Sequence, residues 1–109
     1  MSTQDTAVSF EAYLDAVGHV ERRRLLLALL NSTSDGDPTV ALDRLDSTAA
    51  DETLRLSLHH VHLPKLEDLG FVDADRDQRS VTTGPQFDEI RPILKLLDDN
   101  RDQLPHGWV

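Results

Sequence analysis

The side chains of this chain best suited to chemistry are cations and imidazoles gathered in one region. Arg55, His59 and Lys65 fall on a single apolar-periodic stretch, and Arg76 and Arg79 follow in a segment crowded with aspartates. Side chains of this kind grip phosphates, and on a helix that fits a major groove they also reach base edges. An arginine on an adjoining loop suits the narrow, negative minor groove. The competing reading pairs these charges with Asp73, Asp75 and Asp77 on a solvated face.

Two further groups invite a chemical reading. His59, His60 and His62 are imidazoles in the density a metal site needs. On an ideal helix, however, His59 and His62 share a face while His60 points elsewhere, so the three do not converge and no metal is expected. His60 and His62 are expected to pack and hydrogen-bond in the core, leaving His59 for a base or phosphate. The run Arg22-Arg23-Arg24 is spread around its helix rather than gathered into a patch. Salt bridges to Asp15 and Glu21 are expected there, with a phosphate contact by Arg22 or Arg23 as the alternative. Nothing marks a catalyst: the chain has no glycine-rich phosphate loop, no nucleophile in a recognisable turn and no acid with a positioned partner.

The elements that must position these groups follow from spacing. Leu56, His60, Leu63, Leu66 and Leu69 recur at intervals of three and four, which predicts a helix over about 52–69, and Gly70 supplies its left-handed stop. Pro64 conflicts with that helix, because proline lacks a backbone donor and crowds the preceding turn. Either one helix kinks near residues 60–63, or residues 52–60 form a separate piece with Pro64 in the first turn of the next. Phe71 and Val72 open a strand, residues 73–79 are turn formers and charge, and Ser80-Val-Thr-Thr is β-prone. An antiparallel pair, a wing, is therefore expected over 71–83.

Upstream, residues 1–8 read as a flexible terminus, and Ser9 caps a helix to Val17 whose apolar face holds Phe10, Tyr13, Leu14 and Val17. A second helix runs from about 19 to 30 with a stripe wide enough for burial on several sides. Residues 31–38 are turn-forming, residues 39–45 are expected to make a short helix with Val40, Leu42 and Leu45 on one side, and 46–52 form a turn. A last helix spans about 86–100, its regular part delayed to Arg91 by Pro92, and residues 101–109 form a tail.

The segment His60-Val-His-Leu-Pro-Lys-Leu-Glu-Asp-Leu-Gly-Phe-Val resembles the junction between recognition helix and wing in ArsR-like winged helix-turn-helix proteins. Its His-His-Val-His-Leu-Pro form is similar to the small winged-helix domains of halophilic archaea. With the Arg22-Arg-Arg-Leu-Leu-Leu-Ala-Leu-Leu helix, the resemblance covers residues 19–83. It implies a mainly α fold with a small β-hairpin: one winged helix-turn-helix domain, residues 9–100, with extra terminal helices.

Composition bears on the partner. The 109 residues allow one modest core, and the absence of cysteine excludes disulfides and thiolate metal sites. No apolar run is long enough for a membrane span and no signal peptide is evident, so a cytoplasmic protein is expected. A net charge of -9 repels nucleic acid at ordinary salt. Yet the acid is mostly Asp, the base mostly Arg, and Lys65 and Lys95 are the only lysines, a balance suited to molar salt. There the Debye length is about 3 Å and local contacts decide. The last helix carries more apolar surface than one small core needs, so a homodimer is expected through Phe10, Tyr13, Ile93, Leu96 and Leu97. Taken together, the sequence predicts a homodimeric, non-enzymatic regulator that needs no cofactor and binds double-stranded DNA through Arg55, His59, Lys65, Arg76 and Arg79. A protein-interaction module on the same fold, without DNA binding, is the alternative.

Overall fold

Ser9 begins the ordered helices as its hydroxyl accepts from the Ala12 amide at 3.2 Å, capping α1 (Phe10–Val17). The computed structural model describes residues 9–42 and 52–105, the side chains of Glu52, Leu54 and Arg55 excepted. The expected flexible terminus (1–8), the turn at 46–51 and Trp108 lie outside the described residues. The elements after α1 are α2 (Val20–Ser34), β1 (Thr39–Ala41), α3 (Glu52–Ser57), a π turn (Leu58–His62), α4 (Leu63–Asp68), β2 (Val72–Asp75), β3 (Ser80–Thr83), α5 (Phe87–Asp99) and a single 3-10 turn (Arg101–Gln103) in the expected tail. The fold is mainly helical with a small antiparallel sheet, as a winged-helix domain requires. Among the described residues no helix is long and apolar enough to cross a membrane.

The core forms around α2, whose Leu25, Leu26, Leu27, Leu29 and Leu30 are all buried. Such a broad stripe is possible because α2 packs against α1, β1, α5 and the π turn. Leu63 and Leu66 from α4, Phe71 and Val72 beyond it, Val81 from β3, and Phe87, Ile90 and Leu94 from α5 complete the cluster. Leu69 packs at its edge.

Three expectations need correction. The α2 helix runs on through residues 31–34, which read as loop, because the Thr33 and Ser34 hydroxyls both donate to the Leu30 carbonyl and let turn-forming side chains finish the helix. Residues 39–41, expected to open a short helix, are a strand. Val40 pairs with Val81, making a sheet of order β1-β3-β2 in place of a bare hairpin, and three residues take up strand geometry because a partner supplies the ladder. The rest of that expected helix, beyond residue 42, lies outside the described residues. Finally, α5 is regular from Phe87 and passes through Pro92 without delay. The proline stands in the second turn on the exposed side, and the carbonyl it leaves without a donor belongs to exposed Asp88.

Helix and wing meet at two glycines. Gly70 takes φ +80°, as its place at a helix stop predicts, and its carbonyl accepts from the Gln86 amide at 2.7 Å. A Cβ on Gly84 would lie 2.5 Å from the Gly70 oxygen. The chain thus leaves the wing against the point where it entered.

Candidate nucleic-acid interface

The segment 52–68 is one continuous helical rod with a π turn in its middle. The Leu63 amide donates to the Leu58 carbonyl, five residues back, and Ser57, His62 and Leu63 all keep right-handed helical dihedrals. The wider turn is how the helix admits Pro64: it shifts the hydrogen-bond register just where the proline has no donor to give. It also rephases the faces. The expected core positions Leu56 and His60 are exposed, and Leu58 is buried together with His62.

His62 is 4 % exposed, and its Nδ1 accepts a hydrogen bond from Arg22 at 3.0 Å, which puts the ring proton on Nε2. Its ring centroid lies 4.2 Å from that of His19. Burial first, then His19 and Arg22, push its pKa down to about 4, so it is neutral at physiological pH. The expected core role thus holds for His62 and fails for His60. Among the described residues no group of three His, Cys, Asp or Glu side chains could hold a metal ion.

The arginine run closes the helix ends. Arg22 Nε donates to the Asp15 and Ala16 carbonyls at 3.1 and 3.3 Å, Arg23 donates to the Val17 carbonyl, and Arg24 pairs with buried Glu21 at 3.3 Å. The Arg22 and Arg23 contacts fall on the last carbonyls of α1, and the pairs Arg22–Asp15 at 3.9 Å and Arg24–Glu21 match the salt-bridge expectation.

The five residues expected at a DNA surface fare differently. Lys65 forms an ion pair with Asp15, whose carboxyl that hydrogen bond holds below the usual carboxylate range. Arg76, at the wing turn, pairs with Glu67 at 3.3 Å, and the other Glu67 oxygen accepts from the Ala74 amide at 3.3 Å, so this one carboxylate ties the wing to α4. Arg79 is exposed and closes the turn at φ 53°, a conformation that costs a non-glycine residue about 1 to 2 kcal/mol. His59 is half-buried. Arg55 lies on α3, its side chain outside the described ones. Helix and wing therefore come together as predicted, but two of the cations are held by acids of the same chain.

What the spacing argument missed is the outer ridge of the rod. Among the described side chains Thr53, Leu56, His60 and Val61 are exposed over residues 53–65, where Leu58, His62 and Leu63 are buried, and Asp68 is exposed at the far end of the rod. A signal for this surface was present: residues 53–65 contain no Asp or Glu, in a chain with 20 acids among 109 residues. Of the residues expected at a dimer interface, Phe10 is 62 % and Leu96 65 % exposed. Ile93 and Leu97 are half-buried, and Tyr13 stacks on Phe71 of its own core at 6.3 Å.

A family model described as a domain of unknown function, DUF7344, matches residues 17–82, more than half of the chain. The chain belongs to the DUF7344 family. The match runs from the end of α1 almost to the end of β3, so the DUF7344 region holds the rod, the wing and the arginine run, while Phe10 and Leu96 lie outside it. No curated protein and no solved structure matches the chain.

Proposed function

We propose that this DUF7344 protein is a DNA-binding transcriptional regulator that lays the rod 52–68 in a major groove and the tip of the wing against the neighbouring backbone, working as a homodimer. The observation that carries the reading is the placement of acid. In a chain of net charge -9, the exposed Leu56, His60 and Val61 lie in an acid-free stretch, residues 53–65, that also holds Arg55 and His59, and Arg79 is exposed at the wing beside it. A polyanion selects for such a surface. Likeness to the recognition-helix junction of ArsR-like proteins supports the same reading. The Asp-rich, Lys-poor composition supports a halophilic archaeal cytoplasm as the setting, where salt screens the remaining acid. The second copy would cover Phe10, Leu96 and the half-buried Leu97.

A titration against genomic DNA fragments in a KCl series tests the proposal. Arg76→Ala and Arg79→Ala are expected to weaken binding evenly across sequences, as contacts to phosphate do. Arg55→Ala is expected to blur discrimination by about 1 to 3 kcal/mol if it grips a base edge bidentately. Folded wild-type protein that retains no fragment at any salt concentration would reject the reading. It would leave the protein-interaction module, which the exposed Leu56 and Val61 and the ion-paired Lys65 and Arg76 favour.

A further inference from the structure

The ridge of the rod is apolar where a DNA-reading helix would meet bases. Leu56 is 50 % exposed and Val61 53 %, comparable to Leu14 at 51 % and below Phe10 and Leu96 among the described residues. On an ideal α-helix, residues five apart point well away from each other. The π turn at 58–62 takes more residues per turn, so it carries Val61 round toward the side of Leu56. The rod that buries His62 thus leaves two aliphatic side chains, Leu56 and Val61, on its outer surface, with Thr53 and His60 also exposed.

An apolar pair on an exposed helix needs an occupant, and the charge around it narrows the choice. Residues 53–65 contribute no carboxylate, His60 is exposed among them and Arg55 belongs to the same stretch, so this part of the rod adds no charge that would repel a polyanion. Within the major groove of B-DNA the apolar group on display is the C5-methyl of thymine; guanine, adenine and cytosine present hydrogen-bonding edges there. Resting on the DNA-binding reading above, we infer that Leu56 and Val61 read thymine methyl groups, so that the preferred sites are duplexes with thymines at the steps under the π turn. The cations would fix the register on the backbone, and sequence would be selected chiefly by aliphatic contact. His60 Nδ1 or Nε2 is placed to meet an adjacent base edge.

The test separates this inference from the reading beneath it. A library of random 20-bp duplexes is selected on the full chain in molar KCl, and the retained duplex is remade with deoxyuridine in place of thymidine. That change removes the methyl and leaves base-pairing edges and phosphates as they were. Retained duplexes are expected to carry thymine at fixed positions, and uracil is expected to lower affinity about four-fold for each methyl contacted. Leu56→Ala and Val61→Ala change half-exposed positions, so the fold should survive. In each, the difference between thymine and uracil duplexes is expected to shrink toward one, while Lys95→Ala leaves it unchanged. Equal binding of thymine and uracil duplexes by the wild type would overturn the inference with DNA binding intact, and would hand the apolar pair to a protein partner. A uracil penalty that persists undiminished in both alanine variants would overturn the assignment to these residues. Retention of no duplex would overturn the inference together with the DNA-binding reading.

Discussion

Acidification should expose the cost of burying His62. Its ring is 4 % exposed, accepts from Arg22 and lies against His19, and its pKa stands at about 4 against 6.5 for a free histidine. The unfolded chain recovers the free value. Between pH 6.5 and 4 the unfolded state therefore binds a proton that the folded state refuses, and the folded state loses ground as pH falls through that window. Stability on this account is intact above the unfolded value. Linkage gives a loss of about 2 kcal/mol at pH 5 and about 3 kcal/mol at pH 4, a large part of the 5 to 15 kcal/mol that holds a typical domain together. His62→Asn removes the titration and keeps an oxygen near the position of Nδ1 to accept from Arg22. It costs stability at every pH through the lost ring, but it carries no proton linkage. Urea midpoints for both proteins from pH 7.5 to 4.5, at one KCl concentration, isolate the effect, because the other titrating groups are common to both. The stability gap between wild type and variant is expected to narrow by about 2 kcal/mol from pH 7 to pH 5. A gap that stays constant over that range, or an NMR titration placing His62 near 6.5, would refute the reasoning.

Two other outcomes are open to measurement. Leu66 is fully buried between α4 and the core, so Leu66→Ala is expected to cost about 2 to 5 kcal/mol in denaturant unfolding, and a loss well under 1 kcal/mol would contradict its placement. Light scattering in concentrated KCl is expected to give twice the chain mass, and Leu96→Glu, which charges an exposed position without entering the core, is expected to return the monomer; a wild-type monomer at high concentration would remove the dimer from the proposal.

What the sequence determined by itself was local. Ser9 carries its own capping hydroxyl, Gly70 its own left-handed freedom, and the leucines of α2 a stripe that no single-sided helix would need. The helix-to-wing order was legible for the same reason: each of its signals lies within a few residues of the structure it makes. Tertiary structure decided the rest. Residues 39–41 became a strand through pairing with β3, some forty residues away in the chain. Lys65 and Arg76 looked like open cations until folding set Asp15 and Glu67 beside them. The face of the rod was misread because periodicity assumes one pitch throughout; with the π turn in its middle, Leu56 and His60 face outward and Leu58 inward, while His62 is buried as expected. A pattern of spacings fixes which residues share a helix, but the local pitch and the partners brought by distant segments decide which of them are buried, paired or left to meet a ligand.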